Sequence, residues 1–180
     1  TVMSNLGLHK FCEQQHLKLL CAAVGDRNVL ELMQKEHMVL GGEQSGHIIF
    51  LEHMTTGDGQ LAALQFLSIL GESGKTASEL AGHVALNELA GQITHYPQIL
   101  QNVKVGSNEE KTAILNSREL AQATAREEVR LTGRGRILLR ASGTEPLIRV
   151  MAEADTQDLA ESVVKTLVEA VENVQKILKK

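Results

Sequence analysis

Apolar residues at 159, 163, 167, 171, 174 and 178 recur at three- and four-residue steps, which predicts an amphipathic helix over about 156–179. The same spacing, with Leu8, Phe11 and Cys12 on one side, predicts a helix over 6–16. Val29, Leu30, Leu32 and Met33 predict another over 27–37, and Leu61, Leu64, Leu67 and Ile69 one over about 60–70. A further helix is expected over 77–89, and the polar stretch 108–128 reads as mostly helical. Short apolar runs at 1–5, 17–24 and 99–105 read as strands, and the glycine-broken segment 38–51 reads as strand, loop, strand. A second strand–loop–strand spans 134–153: Ile137, Leu138 and Leu139 form one run, and Ile148 and Val150 alternate with Arg149 and Met151. The pattern breaks over 91–97, where a domain boundary is placed. The fold class is α/β. An α/β unit over 1–93 precedes a small α+β unit over 97–180, in strand–helix–hairpin–helix order.

Composition narrows the function. The chain has no Trp, one Tyr and three Phe, too few for base stacking, and its net charge of −4 opposes a nucleic-acid backbone. Cys12 and Cys21 lie in apolar surroundings and read as free thiols of a reducing compartment. No run is long enough to span a membrane and no signal peptide is visible, so a cytoplasmic protein is expected. The opening Thr1-Val2-Met3 runs straight into structure, and the chain is expected to be a piece of a longer protein. Gly71-Glu72-Ser73-Gly74-Lys75-Thr76 lacks the first glycine of a nucleotide loop, since position 69 is Ile, and is assigned as a linker. None of the seven histidines has ligand spacing; only His47 is tied to a candidate site.

Against that acidic background, residues 130–149 hold five arginines, no lysine and one acid, Glu145. Ala141 to Pro146 is turn chemistry. Gly143 permits close backbone approach or a positive φ, Ser142 and Thr144 supply hydroxyls, and the turn can aim several N–H groups at one point. Pairing Arg140 with Leu147 across the hairpin places Arg140 and Arg149 on one face, because side chains alternate with period two. Two guanidinium forks, two hydroxyls and a nest of N–H groups suit a phosphate monoester.

Gly41-Gly42-Glu43-Gln44-Ser45-Gly46 lets backbone approach a ligand, while Glu43 can accept from two vicinal hydroxyls and Ser45 can donate or accept. That is sugar-reading chemistry. Gly25-Asp26-Arg27 lies between a predicted strand and helix, where ligands gather in α/β layers. Asp26 there is read equally as a helix cap and as a site residue. Asp58 is read as a cap.

Arg140-x-Ser142-Gly143-Thr144-Glu145-Pro146-x-x-Arg149 resembles the phosphate loop of the α-D-phosphohexomutases, a four-domain family in which this loop belongs to the fourth domain. Gly42-Glu43-Gln44-Ser45-Gly46 resembles the sugar loop of the third domain, and with Gly25-Asp26-Arg27 it is similar to the branch acting on glucosamine phosphates. The resemblance covers nearly the whole chain, as a third domain without its beginning and a full fourth domain.

The resemblance implies interconversion of glucosamine 6-phosphate and glucosamine 1-phosphate toward UDP-N-acetylglucosamine, through a phosphoserine and a bisphosphate intermediate. Glu43, Ser45, Gly25, Asp26, Arg27 and His47 would read the sugar. Arg140, Ser142, Gly143, Thr144 and Arg149 would hold phosphate. The phosphoserine and the Mg²⁺ loop belong to N-terminal domains of the same chain, and their motifs do not occur in this sequence, so neither a catalytic nucleophile nor a metal site is expected here. A mannose or glucose phosphomutase, and a non-catalytic phosphosugar-binding module, remain open alternatives. Oligomeric state is not legible.

Overall fold

The computed structural model describes residues 1–74, 76, 93–143 and 145–179. The chain divides into two compact units, Thr1–His95 and Tyr96–Lys180. The helix expected over 77–89 lies outside the described residues.

In the first unit, α1 (Leu6–Gln14) is capped by Asn5, whose side chain accepts from the Gly7 N–H. It closes through the Leu17 N–H on the Cys12 carbonyl, with His16 in the left-handed region. The helix α2 (Asp26–Glu36) ends the same way at His37. Its apolar face, Val29 and Met33, packs with Ala22 and Ile49 into a small core. The strands β1 (Leu40–Gly42) and β2 (Ile48–Phe50) form an antiparallel hairpin pairing Gly42 with Ile48. α3 (Gly59–Ser73) is capped by Asp58, whose carboxylate accepts from the Gln60 and Leu61 N–H groups, as read from the sequence.

Three expectations for this unit fail. Residues 1–5 close a turn, with the Ser4 N–H on the Thr1 carbonyl, rather than a strand. Residues 17–24 form no ladder among the described residues: apart from the bond that closes α1 at Leu17, the Val2 N–H on the Ala22 carbonyl is the backbone bond that reaches them there, and Leu17, Leu20 and Val24 are exposed. An apolar run needs a neighbouring strand as well as propensity to become one. The stretch 71–76 is not wholly linker, because α3 continues through Ser73 and stops at Gly74 with φ 61°.

The second unit has the helix-and-hairpin order foreseen, with the polar stretch broken into two helices at Asn116-Ser117. In order they are β3 (Gln98–Lys104), α4 (Asn108–Leu115), α5 (Arg118–Arg130), β4 (Gly135–Ala141), β5 (Leu147–Ala154) and α6 (Gln157–Leu178). Ser107, Ser117 and Thr156 cap the three helices through their hydroxyls. The sheet is antiparallel, order β3-β5-β4, so β5 is central. Ile148, Val150, Ala152 and Ala154 point from β5 into the main core, meeting Val163, Leu167, Val171 and Val174 of α6. Arg149, Met151 and Glu153 take the opposite face by alternation. The seven- and eight-residue strands β4 and β5 thus carry the turn 142–146 on a rigid base.

Candidate functional site

The hairpin register differs from the expected one by two residues. Arg140 pairs with Arg149, and Leu138 with Met151. The reason lies in the turn, where the Ser142 N–H donates to the Leu147 carbonyl (3.0 Å) and the Leu147 N–H to the Glu145 carbonyl (2.8 Å), so that Leu147 faces Ser142 and not Arg140. An even slip preserves the face. The two arginines are therefore direct cross-strand neighbours, closer than foreseen.

The five arginines sort by their partners. Arg130 pairs with Glu127 at 2.5 Å, Arg134 with Asp155 at 2.8 Å, and Arg136 with the fully buried Glu153 at 2.7 Å. These acids lie just outside the stretch 130–149, so most of the local positive charge that the sequence displays is neutralised within the fold. The Arg140 side chain has no hydrogen bond or ion pair among the described residues. Burial, and then the charge of Arg149, push its pKa down. Arg149 reaches Glu145 only at 4.0 Å, and its Nε is buried without a partner among the described residues. Like charges directly across a ladder repel, and an anion between the forks would offset that repulsion.

The turn is held from inside. The Ser142 hydroxyl is buried and accepts from the Glu145 N–H at 3.2 Å, so its first role is within the loop. Lys111 of α4, itself buried, donates to the Ser142 carbonyl at 2.7 Å and the Glu145 carbonyl at 3.3 Å. The sequence reading missed Lys111: a single lysine in a polar helix carries no signal of the turn it meets 31 residues on. Gly143 is not left-handed, and a Cβ built on it would lie in open space. Of the two reasons offered for this glycine, close approach by a ligand remains and positive φ does not. Thr144 lies outside the described residues.

In the first unit, Gly25 with φ 121° is the N-cap of α2, and Asp26 sits inside the first turn rather than capping it. That backbone conformation, open to glycine, points the Gly25 N–H at Glu43 Oε1, 2.9 Å away. Ser45 Oγ and His47 Nδ1 are 2.9 Å apart. Asp26, Glu43 and His47 bring one ligand-type atom each within 4.8 Å of one another. Gly25, Asp26, Glu43, Ser45 and His47 therefore gather at one end of the β1–β2 hairpin. Arg27 is turned to Glu31 on its own helix at 2.9 Å and makes no contact of this kind with the others. The set does not fit Mg²⁺, which takes oxygen ligands in octahedral geometry, because one of the three groups is imidazole and one carboxylate oxygen already accepts from Gly25. It suits a neutral polyol better. Among the described residues, no helix is long and apolar enough to cross a membrane.

Two family models match the chain: phosphoglucomutase/phosphomannomutase alpha/beta/alpha domain III over residues 1–86, and the phosphoglucomutase/phosphomannomutase C-terminal domain over residues 100–170. The phosphoglucosamine mutase of Lactococcus lactis subsp. cremoris (strain SK11) is 49% identical over 172 residues, which cover 96% of this chain and 36% of that protein. The phosphoglucosamine mutase of Limosilactobacillus reuteri subsp. reuteri (strain JCM 1112) is 50% identical over 167 residues, 93% of this chain and 34% of that protein. The chain thus spans about a third of the length of these relatives. Among solved structures, Aspergillus fumigatus N-acetylphosphoglucosamine mutase matches with TM-score 0.72 at 20% identity, over 96% of this chain and 37% of that one. The same enzyme in complex with GlcNAc-6P and magnesium matches with TM-score 0.69 at 18% identity, over 96% and 38%. At such identity the likeness establishes the fold.

Proposed function

The chain belongs to the phosphoglucomutase/phosphomannomutase family, and from that premise we propose that it is the phosphosugar-binding part of an enzyme that interconverts glucosamine 6-phosphate and glucosamine 1-phosphate for UDP-N-acetylglucosamine synthesis. The observation that carries the reading is the facing pair Arg140 and Arg149, which lacks an acid at Arg140. A phosphate monoester supplies the missing charge, and its oxygens suit two guanidinium forks and the Gly143 N–H.

In this reading phosphate passes from a phosphoserine elsewhere in the protein to one end of the sugar, giving a bisphosphate that turns over and returns phosphate from its other end. Magnesium, when bound in that other part, offsets charge during transfer. The residues of this chain position rather than make bonds. Arg140 and Arg149 hold the phosphate that is not reacting. Glu43 accepts from sugar hydroxyls through the oxygen not committed to Gly25, and Ser45, aligned by His47, donates or accepts beside it.

Titration of the chain with glucosamine 6-phosphate by calorimetry tests this reading. Weak binding is expected, reduced by salt because it is mostly charge-driven, and indifferent to metal chelators. No glucosamine 1-phosphate should form in a coupled assay with the chain alone. Equal or tighter binding of mannose 6-phosphate would move the assignment to the mannose branch. Turnover above a protein-free control would mean that the transferring groups lie within these 180 residues.

A further inference from the structure

The phosphate loop is set from beneath by a residue outside it. We infer that Lys111 is a positioning residue that turns the Gly143 N–H toward the bound phosphate by gripping the loop's carbonyls from the opposite side. This rests on the reading of the Arg140–Arg149 turn as a phosphate site.

The geometry follows from peptide planarity. No peptide in the described chain is cis, and in a trans peptide the C=O and N–H point opposite ways. The Ser142 carbonyl and the Gly143 N–H belong to one peptide. With that carbonyl held 2.7 Å from Lys111 Nζ on the buried side, the Gly143 N–H must face away from Lys111. The Gly143 N–H has no acceptor among the described residues, and Gly143 is exposed, so the donor is presented and unspent. The second grip, on the Glu145 carbonyl at 3.3 Å, falls on the peptide leading into Pro146, which has no N–H to lose. Both anchors therefore fix the turn at no cost in outward donors.

The choice of an ammonium matters beyond its reach. Lys111 is 7% exposed, and no described carboxylate lies within ion-pair distance of it. Burying a cation against carbonyl dipoles alone is unfavourable, and a neutral donor would staple the turn more cheaply. A cation bonded to a carbonyl also polarises the peptide and strengthens the N–H at its other end as a donor. Lys111 thus acts through the backbone and adds to the positive field of Arg140 and Arg149. An anion at the loop is the counter-ion that all three lack in full.

The test is a titration of the ¹⁵N-labelled chain with inorganic phosphate, following the Gly143 amide and the Lys111 ammonium signals, for the wild type and for Lys111→Met, Lys111→Arg and Arg140→Ala. In the wild type both signals should move with one dissociation constant. Lys111→Met should weaken phosphate at least tenfold, with the other amide positions of the second unit in place. Lys111→Arg, which can still donate to both carbonyls, should recover to within threefold. Unchanged affinity in Lys111→Met, with binding lost in Arg140→Ala, would overturn the role of Lys111 and leave the phosphate site standing. Should Lys111→Met not fold, the wild-type ammonium signal decides, and its failure to move as the Gly143 amide moves would overturn the inference. No phosphate response at Gly143 in the wild type would remove the phosphate site and this inference with it.

Discussion

Arg140 and Arg149 are paired residue for residue across the β4–β5 hairpin, and Arg140 meets no acid among the described residues. The free protein holds two like charges at cross-strand spacing, an arrangement that costs stability. Such a cost is expected where a site is shaped for its ligand rather than for the empty fold.

Arg140→Ala should therefore separate binding from stability. Phosphosugar or phosphate binding should weaken by about 1.5–3 kcal/mol, the scale of a charge-assisted contact. Thermal stability should hold or rise slightly, because the facing like charge is gone. Calorimetry and a melting curve on one sample check both, and unchanged affinity would remove Arg140 from the site.

Gly143→Ala is the complementary test. The backbone there is not left-handed and a Cβ meets nothing in the chain, so the substitution should leave stability unchanged or raise it by about 0.4–1 kcal/mol. The methyl would instead obstruct whatever approaches the turn, and phosphate affinity should fall about tenfold, or about 1.4 kcal/mol. A variant that binds phosphate normally would show that the glycine does not serve close approach.

Much of this was legible in the sequence where local signals act. The three- and four-residue spacing marked α6, Asp58 marked the start of α3, and the glycine-containing turn marked the tip of the β4–β5 hairpin. Apolar runs misled where partners decide: 1–5 and 17–24 have strand composition but no ladder among the described residues. The arginine-rich stretch misled by degree. Glu127 neutralises Arg130 from one helical turn before it, just outside the stretch counted, and Glu153 and Asp155 neutralise Arg136 and Arg134 from the opposite arm of the hairpin, which a count of local charge cannot show. Lys111 was invisible for the same reason, since its meaning comes from a turn distant in sequence.

In the first unit, Glu43→Gln should spare the fold and impair sugar recognition. A glutamine carbonyl can still accept from the Gly25 N–H, so the start of α2 stays clamped. The lost charge weakens acceptance from sugar hydroxyls. Calorimetry should show lower affinity for glucosamine 6-phosphate with unchanged affinity for inorganic phosphate. Equal loss of both would indicate general damage to the hairpin instead.

The two structural arginine pairs at the start of β4 should respond differently to perturbation. Glu153 is wholly buried beneath Arg136, whose side chain keeps 23% of its exposure, so Arg136→Met should cost about 3 kcal/mol, near the lower end for breaking a buried pair. Arg134 and Asp155 are exposed, and the hydrogen bond from Arg134 holds the Asp155 carboxyl below its ordinary pKa. A carboxylate with a lowered folded pKa adds stability above its unfolded pKa, and that contribution is lost as pH falls through the folded value. The wild type should therefore melt slightly above Asp155→Asn at neutral pH, and the two should converge as the solution is acidified. Melting curves across the acid range decide between this and a purely structural role for Asp155. A gap independent of pH would mean that the charge of the pair contributes nothing, and that the backbone bond from the Asp155 N–H to the Arg134 carbonyl is what secures this end of the strand.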